Sequence, residues 1–378
     1  MKKECVFDPL APTCSILLLG VHAPYNRTPN IEGYFQEFVN LAKSNGLPTD
    51  ITMFMRIRDI DSAYFITKGK LEEVKKMCDE HNIDHVVISE PLSVQQERNL
   101  SDYLHCKVFD RTQLILEIFE KAADSAEGKT QVQIAMLQHK KSRVAGHGVH
   151  MSQQAGILGL RSGAGETAKE RELRHLESLI LKLRKQLVQI EKVRQTQRKR
   201  RLESNLPLMC LIGYTNAGKS SILNALTKSD VLAEDKLFAT LDTTTRELYI
   251  NNAKVGLISD TVGFIQNLPH NLIDAFKSTL AELQYADLLI EVVDASDPNW
   301  ESHIEIVRNI LNDLDLQHKE ILYVFNKIDK VESTQQLLDA FDKYKPYVLT
   351  SALNKEEISP LKEYIESWVK NRNQSSLT

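Results

Sequence analysis

The densest chemistry in this 378-residue chain lies in eight consecutive positions, Gly213-Tyr214-Thr215-Asn216-Ala217-Gly218-Lys219-Ser220, which fit the pattern GxxxxGKS. Glycines at such positions let a backbone wrap closely around phosphates, so that successive amides donate to their oxygens. A lysine at Lys219 can then reach the β- and γ-phosphates, and a hydroxyl at Ser220 can supply a ligand to Mg²⁺. The apolar run Leu208–Ile212 ahead and the helix-like stretch Ser221–Thr227 behind give the strand–loop–helix context that this loop needs.

A phosphate loop alone does not choose between ATP and GTP. Asn326-Lys327-Ile328-Asp329, directly after the apolar run Ile321–Phe325, makes that choice. A carboxylate at Asp329 can accept from guanine N1–H and the exocyclic amine, a donor pair that adenine lacks. Ser351-Ala352-Leu353, after the strand-like Tyr347–Leu349, fits a backbone that supports the base from its other side. Asp260-Thr261-Val262-Gly263 follows Lys254–Ser259 and places an aspartate to hold Mg²⁺ through water, with the Gly263 amide facing a γ-phosphate. Between these motifs runs Phe238-Ala239-Thr240-Leu241-Asp242, then Thr243-Thr244-Thr245. One threonine of this loop is expected on Mg²⁺ when the γ-phosphate is present, Thr240 by first choice and Thr244 by second. The catalytic positions are thus Lys219 and Gly263, with Ser220 and Thr240 on the metal. Five motifs in this order imply a doubly wound α/β nucleotide domain with its ligand at the carboxyl ends of the strands.

GTPases of the Ras type orient the attacking water with a glutamine just after the glycine of that aspartate motif. Phe264 stands there instead and can neither donate to a water nor accept from it; Gln266 lies two positions further on. The expectation is slow intrinsic turnover that a partner accelerates. Asn216 occupies a position at which potassium-dependent GTPases bind a monovalent cation, so K⁺ stands beside Mg²⁺ as a second cofactor, against the equal alternative of an asparagine bonded only to the backbone.

Around the site, the chain is long enough for two to three domains. Its 42% hydrophobic and 26% charged residues are ordinary for a globular protein. No run approaches the roughly 18 apolar residues of a membrane span, and no signal-peptide core follows Met1-Lys2-Lys3-Glu4-Cys5. Five scattered cysteines form no CxxC pair, so neither a disulfide framework nor a zinc site is suggested, and a reducing cytosol is the simplest setting.

Within an expected amino-terminal domain of residues 1–111, residues 14–111 alternate strand and helix signals: strands over Cys14–Val21, Asp50–Ile57, His85–Ser89 and Lys107–Asp110, with helices over Ile31–Lys43, over Lys70–His81 and from Ser93, where Gln96 completes a capping box. This predicts a small, largely parallel α/β domain whose chemistry is not written in the sequence. Residues 112–204 turn helical around a glycine-rich segment, Gly146–Gly165. Past Glu166, Leu173, Leu176, Ile180, Leu183, Leu187 and Ile190 are spaced as a heptad seam, which an antiparallel hairpin would bury. The outer face carries Lys182, Arg184, Lys185, Lys192, Arg194, Arg198, Lys199, Arg200 and Arg201 against Glu191 alone. Such a ridge suits RNA phosphates with little sequence readout, although lysines and arginines also simply solvate helices. The nucleotide domain is expected over 205–371, with a polar tail at 372–378.

These features together resemble the HflX family of GTPases, over nearly the whole chain. The likeness is carried by Leu92–Leu100, Val108–Thr112, Glu127–Lys129 with Gln131–Gln133, Gly159–Arg161, Gly165–Thr167, Gly213–Ser220, Leu237–Asp242 and Asp260–Ile265. The family loop usually reads Arg-Gly-Pro-Gly-Glu, whereas Arg161-Ser162-Gly163-Ala164-Gly165-Glu166 is one residue longer and lacks the proline. Lys169 and Leu173 stand where a leucine and an arginine are usual, and Thr243 where a proline is usual. A cytoplasmic monomer is expected, and the resemblance implies a GTPase whose amino domain and hairpin dock on the large (50S) ribosomal subunit near its peptidyl-transferase centre. It further implies that ribosomes stimulate its turnover and that it splits or rescues stalled ribosomes. Two other functions stay open: a GTPase that assists large-subunit assembly, and a passive RNA-binding module whose nucleotide only stabilises the fold.

Overall fold

The computed structural model describes residues 14–26, 28, 30–146, 168–203, 206–227, 237–238, 241, 243–266, 282–331, 334–354 and 356–375. The glycine-rich segment beyond Gly146, and Ala239, Thr240 and Asp242 of the threonine-rich loop, lie outside the described residues. The chain divides into two compact units, residues 1–121 with 132–186, and 122–131 with 187–378.

In the first unit, a four-stranded parallel sheet has the order β2-β1-β3-β4, with β1 Ile16–His22, β2 Ile51–Arg56, β3 His85–Ile88 and β4 Lys107–Asp110. Helices α1 Ile31–Ser44, α2 Lys68–Glu80 and α3 Val94–Leu104 make the crossovers. β1 and β3 are buried runs, as parallel strands covered on both faces should be. α3 opens on the expected box: the Ser93 hydroxyl accepts from Gln96 N–H, and the Gln96 side chain accepts from Ser93 N–H. α2 starts two residues earlier than its sequence signal, with Gly69 inside the first turn. Glycine's conformational freedom costs most in a helix interior, so the first turn admits it.

Helix α4, Arg111–Ala122, leads to α5, Ala126–Gly146, and α6, Ala168–Glu203. Ion pairs Lys140–Glu172 and Lys141–Glu177, and the bond from Lys169 to the Ala145 carbonyl, set α5 and α6 antiparallel. The heptad seam is the covered side of α6: Leu176 and Ile180 are buried, while Leu173, Leu183, Leu187 and Ile190 are half-buried. Lys182, Arg184, Lys185 and Lys192 are exposed. Within the first unit, Arg143 of α5 bridges Glu97 of α3 and Asp110 at the end of β4, tying the hairpin to the sheet.

The second unit holds a six-stranded sheet of order β10-β9-β8-β5-β7-β6. Its strands are β5 Leu208–Gly213, β6 Thr244–Ile250, β7 Ala253–Asp260, β8 Leu288–Asp294, β9 Ile321–Asn326 and β10 Tyr347–Leu349. Only β6, at an edge, runs antiparallel. α7 Lys219–Thr227 and α10 Ser359–Ser375 pack over one face, with Ile222, Leu223, Leu361 and Ile365 against Leu211, Ile290 and Val324. α8 Trp300–Asp313 and α9 Thr334–Phe341 cover the other, where Trp300 and Phe341 meet Phe325. Helix α10 continues to Ser375, so most of the expected tail is helical; its polar side chains are compatible with an exposed last turn.

Candidate nucleotide site

Four of the five motifs read from the sequence of the second unit fall at the carboxyl ends of strands of one sheet, and the described part of the fifth, Phe238, Leu241 and Thr243, precedes β6. β5 runs into the phosphate loop, β7 ends at Asp260, β9 ends at Asn326, and β10 is followed by Ser351. This is where a doubly wound sheet opens a crevice.

The loop needs its glycines for space as well as conformation. Gly213 has φ 140°, and a Cβ there would stand 2.2 Å from the Val292 carbonyl oxygen. Gly218 has φ 97°, and a Cβ there would stand 2.2 Å from Asn326 Nδ2. No other residue fits either position. Asn216 sits at φ 59°, a left-handed conformation that asparagine tolerates. α7 begins at Lys219, so its first amides face into the loop, an arrangement that favours anions.

Lys219 is 7% exposed and donates to the Gly213 and Tyr214 carbonyls at 3.2 and 2.7 Å. Burial pushes its ammonium down to about 8, against the pull of Asp260. A desolvated cation aimed at the loop is poised for an anionic ligand. The Ser220 hydroxyl donates to Asp260 Oδ2 at 2.7 Å. These hard oxygen donors, a hydroxyl and a fully buried carboxylate, suit a small divalent cation such as Mg²⁺. Thr261 is locked by its hydroxyl on the Leu211 carbonyl at 2.6 Å, and Val262 is buried beside it. Thr244 pairs with Asp260 across β6 and β7; its hydroxyl oxygen is buried with no hydrogen-bond partner among the described residues. Phe238 and Leu241 are buried.

At the end of β9, Asn326 is 1% exposed and spans two motifs. Its amide donates to the Ala217 carbonyl at 2.9 Å, and its oxygen accepts from Ala352 N–H at 3.1 Å. Lys327, at φ 61°, donates to the Asn216 carbonyl at 2.8 Å and to Asp294 at 2.6 Å. Asp329 lies exposed in the short 3-10 turn Ile328–Lys330, and Leu353 is 83% exposed. Sequence reasoning missed Asp294; a carboxylate closing the central strand β8 was its only signal. Also unread was His303 of α8, on whose ring the loop residue Tyr214 stacks at 3.8 Å.

Comparison with known proteins decides the family. A family model described as GTP-binding GTPase N-terminal matches residues 32–120, one described as GTP-binding GTPase Middle Region matches 122–201, and one described as 50S ribosome-binding GTPase matches 208–327. A GTPase HflX of Magnetococcus marinus is 43% identical over 323 residues, covering 85% of this chain and 74% of the relative. GTPase HflX of Escherichia coli is 38% identical, over 86% of this chain and 76% of the relative. The chain belongs to the HflX GTPase family. A solved structure described as SsGBP and GDP complex shares the fold, with TM-score 0.54 and 24% identity, over 94% of this chain and 99% of that one. The HflX relatives and the GTPase domain make this chain a GTP-hydrolysing enzyme. Among its described residues, no helix is long and apolar enough to cross a membrane.

Proposed function

We propose that this HflX GTPase binds the large (50S) ribosomal subunit, hydrolyses GTP in a cycle that ribosomes stimulate, and splits or rescues stalled ribosomes under stress, as a cytoplasmic monomer. The observation that carries the reading is the match of residues 208–327 to a family described as 50S ribosome-binding GTPase. The exposed Lys182, Arg184, Lys185 and Lys192 on α6 add a surface suited to rRNA phosphates. Three functional blocks follow: an amino-terminal α/β domain (1–111), an RNA-facing hairpin (112–204) and the GTPase domain (205–371).

In this reading, Gly213–Ser220 cradles the phosphates with Lys219 on the β- and γ-oxygens. Asp329 reads guanine, flanked by Asn326, Lys327 and Ile328, and by Ser351–Leu353. The Gly263 amide meets the γ-phosphate, and the loop Phe238–Asp242 closes over it. Ser220 and Thr240 would hold Mg²⁺, with Asp260 acting through water; bound there, the ion would neutralise charge developing on the phosphate oxygens. Asn216 would ligate K⁺, so turnover should be several-fold faster in K⁺ than in Na⁺; equal rates would assign Asn216 to the backbone alone.

Pelleting with purified large subunits, in GDP and in a non-hydrolysable GTP analogue, tests the reading when GTP turnover is measured alongside. Tighter binding with the analogue and faster turnover with ribosomes are expected. Equal binding without stimulation would sink it. An assembly GTPase would instead prefer immature subunits. Against a passive RNA module stands the Ser220–Asp260 pairing beside a buried Lys219, machinery that a passive binder does not need. Lys219→Ala should abolish the ribosome response of an active switch, whereas a passive module should keep its RNA affinity in that variant.

A further inference from the structure

The chain that follows Asp260 is bonded to the phosphate loop along its length. Phe264 N–H donates to the Gly213 carbonyl at 3.2 Å, and Thr215 N–H donates to the Phe264 carbonyl at 2.8 Å. Two residues later, Gln266 N–H donates to the Tyr214 hydroxyl oxygen at 2.9 Å. Phe264 and Ile265 are buried between these bonds. Gly263 is thereby set against the loop: a Cβ there would stand 2.9 Å from Lys219 Nζ and 2.8 Å from Thr215 Cγ2. The Gly263 backbone and the Lys219 ammonium therefore border the same small space at the mouth of the loop.

The Tyr214 ring is itself held. It lies flat on the imidazole of His303, with centroids 3.8 Å apart and planes 6° from parallel. Burial keeps His303 below the ordinary histidine range, against the opposing pull of Asp297 and Asp294, so the stacked ring is neutral near pH 7. The Asp297 carboxylate lies 3.9 Å from His303 Nδ1, on the side of α8.

We infer that Tyr214 is a positioning residue for the γ-phosphate response: stacked on His303, it holds the Gln266 amide and through it presets the Gly263 amide. The inference rests on the proposed contact between Gly263 and the γ-phosphate. Its phenol bonds the chain after Gly263, so its influence on nucleotide passes through Gly263. A segment already fixed by three bonds loses less conformational freedom when a γ-phosphate arrives. GDP ends at the β-phosphate and has no use for Gly263. Loss of the Tyr214 hydroxyl should therefore separate the two nucleotides, whereas loss of mere packing would weaken both.

The test uses the full-length chain carrying Tyr214→Phe, which keeps the ring and its stack and removes only the hydroxyl. Affinities for GDP and for a non-hydrolysable GTP analogue are measured by titration, together with KM, kcat and the melting temperature. Analogue affinity should fall about five-fold, the scale of one net hydrogen bond, with GDP affinity within about two-fold. KM for GTP should rise by a similar factor. His303→Ala should lower the analogue-to-GDP affinity ratio likewise, and His303→Phe, which keeps a flat ring, should restore it. Equal changes for both nucleotides, or none, would overturn the inference. Gly263→Ala separates the two levels of argument. A ratio unchanged by Gly263→Ala defeats the γ-phosphate reading itself. A ratio lost in Gly263→Ala but kept in Tyr214→Phe defeats only the role of Tyr214.

Discussion

Asn326, at the end of β9, donates to the Ala217 carbonyl at 2.9 Å, and so fastens the loop that carries Asp329 to the phosphate loop. The same side chain accepts from Ala352 N–H, so one buried amide holds three segments that are far apart in sequence. Gly218 leaves the room for it. Asn326→Ala removes both bonds and strands a loop carbonyl. Affinity should fall by about 10- to 100-fold, the cost of one or two buried polar groups left unpaired. GDP and GTP should lose alike, because this fastening lies beneath the part of the loop that both share. Titration with a fluorescent GDP and a fluorescent GTP analogue checks it; a loss confined to one nucleotide would contradict the geometry.

Asp329 is exposed in the turn after β9, open to a base arriving from solvent. Asp329→Asn turns an acceptor pair into one acceptor and one donor. GTP affinity should drop at least about 100-fold, and xanthosine triphosphate, which carries a carbonyl in place of guanine's amine, should bind better than GTP. Competition of the two triphosphates against labelled GDP measures this. Unchanged preference for GTP would place the base elsewhere.

What could be read in advance followed the local rules of each segment. The strand before Gly213, the box at Ser93 and the seam from Leu173 to Ile190 are patterns of period and spacing, and the structure carries all three. The links between segments were not legible. Nothing in a one-dimensional pattern says that Lys327 will bond the Asn216 carbonyl 111 positions away, or that the Tyr214 ring will lie on His303. Such pairings are set by sheet order and by the crossover helices. Asp294 escaped notice for the same reason: its partner Lys327 follows the next strand in the sheet and lies 33 positions away. Among the metal candidates, Ser220 could be placed beside Asp260, whereas Thr240 lies outside the described residues.

Arg143 holds the hairpin to the first sheet through Glu97 and through Asp110 at 2.9 Å. The Asp110 side chain is 3% exposed and also accepts from the Leu92 and Gln113 amides. Arg143→Ala leaves that carboxylate buried without its cation, which costs about 3–5 kcal/mol when a buried pair is broken from one side. Denaturant unfolding followed by a probe in the first unit should show this loss. Adding Asp110→Asn should recover part of it, since the stranded charge is then gone. A shift below about 0.5 kcal/mol in the single variant would mean that the bridge does not fasten the hairpin.

Glu291 gives the nucleotide domain a pH dependence of its own. It lies mid-way along β8, 2% exposed, paired in register with Ile212 and Tyr323 on either side. Its Oε1 has no hydrogen-bond partner among the described residues. Burial pushes its carboxyl up from 4.5 to about 8, with Arg308 opposing weakly from α8. The folded form therefore holds a proton that the unfolded chain releases. Its contribution to stability is complete below the unfolded value near 4.5, declines as pH rises toward about 8, and is flat beyond. Within that window each pH unit costs at most about 1.4 kcal/mol. Glu291→Gln cannot ionise, so the melting temperature of the variant relative to the parent should climb between pH 5 and about 8 and then level off. A difference that stays constant across that range would show that Glu291 is already ionised in the folded domain, with Arg308 compensating it.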